Sequence, residues 1–169
     1  MKHFERLARK YIVSESMRDC INKLYTAKPK TKGIPSIEDV KKALLELTGI
    51  DSWQTFASKQ EPGDCEFIAR AVSRMFPKLK FVSVKISFSQ QAIDKMEPDD
   101  DPEWFTCIHY LNKLGDEYLD FAKHSNVYEN AYALDGVDDI DSFTYSKEAL
   151  KHFSEEQIEN PKDIGVVMR

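Results

Sequence analysis

The residues whose types and spacing could do chemistry are Cys65, His109 and Asp120. Cys65 stands in the run Gly63-Asp64-Cys65-Glu66-Phe67-Ile68-Ala69, which reads as the start of a helix. His109 falls on a predicted strand, and Asp120 on the strand after it. A thiol, an imidazole and a carboxylate are the parts of an activated nucleophile, its base and the group that orients the base. Each has a plainer reading alone. Buried cysteines are commonly small core residues, a strand histidine is often half exposed, and an aspartate can end a strand. Order, spacing and strand parity together favour the triad.

The parity comes from the turn. Gly115-Asp116 separates two segments, 103–114 and 117–122, that read as a hairpin. Glycine at the first turn position suits a two-residue type II′ loop. Leu114 then faces Glu117, Leu111 faces Asp120 and His109 faces Ala122. His109 and Asp120 become diagonal neighbours on one side of the sheet, about 7–8 Å apart at the backbone. A slip of one residue would put them on opposite faces. An aspartate beside a histidine can hold the proton on one ring nitrogen and leave the other as a base.

The helix supplies the rest. With Gly63 or Asp64 as its cap, Cys65 sits in the first turn. Unpaired amides and the helix dipole there favour a thiolate, and the same amides can bind an oxyanion. Gln60 is a candidate side-chain donor to that oxyanion, and Trp104 a candidate wall of the substrate cleft. Cys20 and Cys107 read as structural. His3 and His152 lack partners at informative spacing; His124, four residues past Asp120, is the rival candidate for the base.

The elements that must position these residues follow from periodicity. Residues 3–26 read as helical, with Phe4, Leu7, Ala8, Tyr11 and Ile12 at helical spacing and Met17, Ile21 and Leu24 continuing it. Residues 27–35 form a linker rich in Pro, Gly and Lys. Ser36 opens a second helix, with Asp39 as an imperfect capping-box partner. Val40, Ala43, Leu44 and Leu47 are its apolar stripe, and Gly49 ends it. Trp53 and Phe56 mark a short turn or helix. A third helix spans about 64–76 and Pro77 stops it. Leu79 to Phe88 then suits a strand. Residues 89–102 read as a loop or short helix, Ser146 to Phe153 as a short helix, and Ile164 to Met168 as a last strand. Helices first and strands later predict an α+β fold. The expected division is a helical segment with its linker at 1–35 and the main domain at 36–169.

Bulk composition narrows the function. The 169 residues are 41% hydrophobic, enough for one core, and carry a net charge of −5. That charge offers no electrostatic case for nucleic-acid binding. Three cysteines, odd in number and widely spaced, form no zinc pattern and no disulfide framework. A reducing, cytoplasmic location fits, and no metal or cofactor is called for. No signal peptide or membrane-spanning run is apparent. The acidic run at 97–103 reads first as a solvated loop. Its functional alternative is a rim that would favour a basic protein or peptide substrate.

The string Gly63-Asp64-Cys65-Glu66 with Ala69, a strand histidine at 109 and a strand ending Tyr118-Leu119-Asp120 resembles the transglutaminase-like cysteine proteinases of the papain-like superfamily. The resemblance covers residues 60–125. It implies a papain-like core, in which a central helix carries the cysteine at its N-terminus and packs on an antiparallel sheet. It also implies a Cys-His-Asp triad, with Cys65 as nucleophile, His109 as base and Asp120 as orienter. The reaction implied is hydrolysis or acyl transfer at a peptide, isopeptide or amide bond. Two departures stand out: Phe67-Ile68 where relatives often carry an acidic or aromatic pair, and a second thiol, Cys107, two residues before His109. The competing reading is a non-catalytic binding or regulatory protein on the same scaffold, of the phage or accessory kind.

Overall fold

The computed structural model describes residues 20–61, 63–87, 94, 106–122 and 143–156. Most of the first predicted helix, the loop 89–102 except Asp94, the acidic run, Trp104, His3, His124 and the final strand at 164–168 lie outside the described residues, as does the Cys107 side chain. Residues 20–24 are helical, and the chain from 27 to 35 contains no helix or strand.

Helix α1 spans Ile37–Thr48. Its capping box is complete: the Asp39 N–H donates to Ser36 Oγ at 3.1 Å, and the Ser36 N–H donates to Asp39 Oδ2 at 3.0 Å. Gly49 ends it in the left-handed region, at φ 75°. Helix α2, Trp53–Ser58, is capped by Ser52. Helix α3, Asp64–Met75, carries the nucleophile candidate. Cys65, Ile68, Ala69, Val72 and Met75 are all buried on it. Burying a side chain such as Ile68 is worth about 1.5–3 kcal/mol relative to leaving it exposed. Pro77 follows immediately after the Phe76 cap, where the helix could not continue.

Strands β1 (Lys80–Ser87), β2 (Thr106–Leu114), β3 (Glu117–Leu119) and β4 (Phe153–Glu156) form one antiparallel sheet in the order β3-β2-β1-β4. Helix α4, Lys147–Leu150, precedes β4. The fold is therefore mixed helix and antiparallel sheet, of the α+β kind expected. No helix among the described residues is long and apolar enough to cross a membrane.

The hairpin has the predicted register, with Leu114 opposite Glu117 and Asn112 opposite Leu119. Gly115 has φ 60° and Asp116 does not share a positive φ, the pattern of a type II′ turn. Two expectations need correction. The predicted helix from Ser146 to Phe153 is only Lys147–Leu150, and Phe153 instead begins β4. Phe-Ser-Glu-Glu is short and largely exposed, so it carries no alternation to read; pairing with β1 makes it a strand. The second correction is that β3 stops at Leu119, short of Asp120.

Helix α3 lies against the face of the sheet that carries Phe81, Tyr110 and Asn112. Asn112 Nδ2 donates to the Ala69 carbonyl at 2.9 Å, the Arg70 guanidinium stands 4.7 Å over the Phe81 ring, and Tyr110 packs on the core. That core gathers Leu24, Leu44, Phe56, Ile68, Val72, Met75 and Phe121.

Candidate active site

Strand parity places His109 opposite Val84, on the other set from Tyr110 and Asn112. Its ring is therefore not directly beneath the body of α3, as a helix packed over the histidine would require. It lies where β2 has lost its β3 partner, because β3 pairs only with Asn112 to Leu114. The N-terminal end of α3 brings Cys65 into hydrogen-bonding contact with His109 there. Cys65 is a free thiol, 4% exposed, and His109 is 2% exposed.

Asp120 completes the group. His109 Nε2 lies 2.6 Å from Asp120 Oδ2. Each ring nitrogen offers one in-plane hydrogen-bonding position, so Nδ1 is the nitrogen left for Cys65. The Tyr145 hydroxyl donates to the same Oδ2, and the Ala122 N–H donates to Oδ1 at 2.9 Å. Burial would push the Asp120 carboxyl up, but His109, the Tyr145 hydroxyl and the Ala122 N–H hold it below its ordinary value. Burial also opposes a charge on His109. The Asp120 carboxylate and the Cys65 side chain outweigh it and hold the imidazole well above its ordinary value.

Since β3 ends at Leu119, another segment must hold Asp120. Its N–H donates to the Phe143 carbonyl at 2.8 Å, and Tyr145 binds its side chain. An aromatic group secures that segment: Phe143 packs 5.3 Å from Phe121 and 5.5 Å from Trp53, which stacks on Phe56. Gln60 belongs to the same brace. Its Nε2 donates to the Phe121 carbonyl at 3.0 Å, which ties the loop before α3 to the residue after Asp120.

At the start of α3, Gly63 is the N-cap with φ 94°, and no side chain caps the helix. Helix geometry leaves the Cys65 and Glu66 N–H groups without intrahelical acceptors. Asp64 does not cap; its Oδ2 accepts from the Glu61 N–H at 2.7 Å. Burial pushes its carboxyl up to about 6 against that hydrogen bond. Glu66 is fully buried, with Oε1 on Arg70 Nε at 3.0 Å. Among the described residues, no group of His, Cys, Asp and Glu could hold a metal ion.

The structure thus brings Cys65, His109 and Asp120 together and places Gln60 beside them. Tyr145 is not among the candidates that the sequence offers. No short-range spacing links it to Asp120, 25 residues earlier. Comparison with protein-family models, curated proteins and solved structures found no match to this chain.

Proposed function

We propose that the chain is a thiol hydrolase or acyltransferase acting on a peptide, isopeptide or amide bond, on a papain-like scaffold of the transglutaminase-like kind. The observation that carries the reading is a buried imidazole bound at Nε2 by an aspartate and in contact on its other side with a cysteine at a helix N-terminus. Cys65 Sγ attacks the carbonyl carbon while its proton resides on His109. The N–H groups at the start of α3 receive the oxyanion. The amide C–N bond then breaks, His109 gives its proton to the leaving amine, and a thioester remains on Cys65. Water, or an amine in the transfer reaction, gives a proton to His109 and attacks the thioester. The proton returns to the departing sulfur. Asp120 keeps the ring oriented throughout, and Gln60 braces the loop that leads into α3.

Iodoacetamide labelling across pH, with the modified cysteine identified by mass spectrometry, tests this. One thiol, Cys65, should react fastest, with a pH profile that His109→Ala abolishes. Equal and slow alkylation of Cys20, Cys65 and Cys107 would reject the enzyme and leave a binding protein on this scaffold.

A further inference from the structure

We propose that Tyr145 is a positioning residue of this site, a phenol that limits how much negative charge Asp120 presents to His109. The inference rests on the reading of Cys65, His109 and Asp120 as one working group. Asp120 Oδ2 is shared by two donors, His109 Nε2 and the Tyr145 hydroxyl, while Oδ1 takes the Ala122 N–H. A phenol facing a carboxylate donates, because the carboxylate has only acceptors. Charge drawn toward the phenol proton is withdrawn from the imidazole beside it. Tyr145 therefore sets the strength of the Asp120–His109 pair, and through it the pH range over which the imidazole keeps its proton next to Cys65.

The placement of Tyr145 is fixed from three sides. Its ring meets Phe153 of β4 edge-on at 4.9 Å, its neighbour Ser146 caps α4, and Phe143 holds the Asp120 main chain. The nearby Tyr118 provides an internal contrast, because its hydroxyl goes to Glu155 at the surface.

A residue that merely fills space predicts a different sign from one that shares the carboxylate. Loosened packing admits water and brings His109 back down toward its ordinary value. Loss of the shared donor leaves Asp120 more basic and moves His109 further up. The experiment is an NMR titration of the His109 ring in wild type and Tyr145→Phe, alongside Cys65 alkylation in the same samples. The His109 midpoint should rise by about 1 unit in Tyr145→Phe, the scale of one charge-assisted hydrogen bond. It should not move in Tyr118→Phe, and the rise should vanish in an Asp120→Asn background. A midpoint that stays, falls, or rises equally without the Asp120 carboxylate overturns the proposal. Slow Cys65 alkylation in the wild type would reject the thiol site itself, while the titration still reads the role of Tyr145. If Tyr145→Phe does not fold, the wild-type spectrum decides. A downfield hydroxyl proton assigned to Tyr145 supports the shared donor, and a rapidly exchanging one rejects it.

Discussion

Two carboxylates lie close to the Cys65 thiol's position in the fold and are buried alike, yet the chain treats them differently. Asp120 is 1% exposed and Glu66 is fully buried. Asp120 receives donors on both oxygens, from His109, Tyr145 and Ala122. Glu66 has Arg70 on Oε1, and Oε2 meets no donor among the described residues. Asn112 is in the same condition: its amide nitrogen is used on Ala69, and its Oδ1 is unmatched. A buried acceptor left unmatched costs about 1–3 kcal/mol. Polar satisfaction is thus concentrated where His109 and Asp120 meet. At Glu66, next to Cys65 in the first turn of α3, and at Asn112, on the opposite face of β2 from His109, a buried acceptor goes without it. Asp64 falls between the two, with one donor from the Glu61 N–H and a raised carboxyl.

The largest effect that would break this contrast comes from His109→Ala. It strips the principal partner from a buried carboxylate and should destabilise the fold by about 3–5 kcal/mol in urea unfolding. The pH dependence has a defined sign. The lowered Asp120 value contributes stability present above its unfolded value, lost as pH falls through the folded one. The raised His109 value contributes stability present below its unfolded value, lost as pH rises through the folded one. The gap between wild type and variant should be widest between about pH 4 and 6.5 and shrink on both sides. A gap under about 1 kcal/mol would show that the pair behaves like an exposed one.

A smaller effect is expected from Asp64→Asn. The Asp64 contribution is fully present below the unfolded value of 3.8 and is lost as pH rises through about 6. Asparagine keeps the acceptor for the Glu61 N–H and does not titrate. The variant should gain on wild type by about 1–2 kcal/mol between pH 4 and 7, read from paired unfolding curves. A difference that does not change with pH would place the Asp64 carboxyl in solvent. The smallest effect should come from Asn112→Leu. It removes the unmatched Oδ1, and the Ala69 carbonyl keeps its helical partner. Stability should rise by about 0–1 kcal/mol with Cys65 labelling unchanged. A loss above about 2 kcal/mol would show that Oδ1 is in fact satisfied, and the contrast would fail.

The sequence made the local parts legible. Ser36, Asp39 and Gly49 marked both ends of α1 because capping chemistry depends on near neighbours. Gly115-Asp116 set the hairpin register because a II′ turn demands a positive φ at one position. That register predicted the meeting of His109 and Asp120. Less legible was what holds Asp120 once β3 ends, since the Phe143 carbonyl and the Tyr145 hydroxyl are reached only through tertiary folding. Gln60 reads in the sequence as a donor to the oxyanion, whereas in the fold one N–H of its amide goes to the Phe121 carbonyl, a contact 61 residues away that no local pattern shows. Strand β4 was invisible because its pairing partner, not its own composition, creates it.

The early end of β3 has a consequence for the order of assembly during synthesis. Helix α3, β1 and the hairpin are complete once Leu119 has emerged, so the thiol and the imidazole are available to meet. Asp120 gains its clamp only when the chain has been made through Tyr145. At a synthesis rate of about 5–20 residues per second, the nascent chain passes more than a second with Cys65 and His109 made and the Asp120 carboxylate unsecured. The complete arrangement around Asp120 therefore waits on residues 143–145, well after the strand that leads into it has been made.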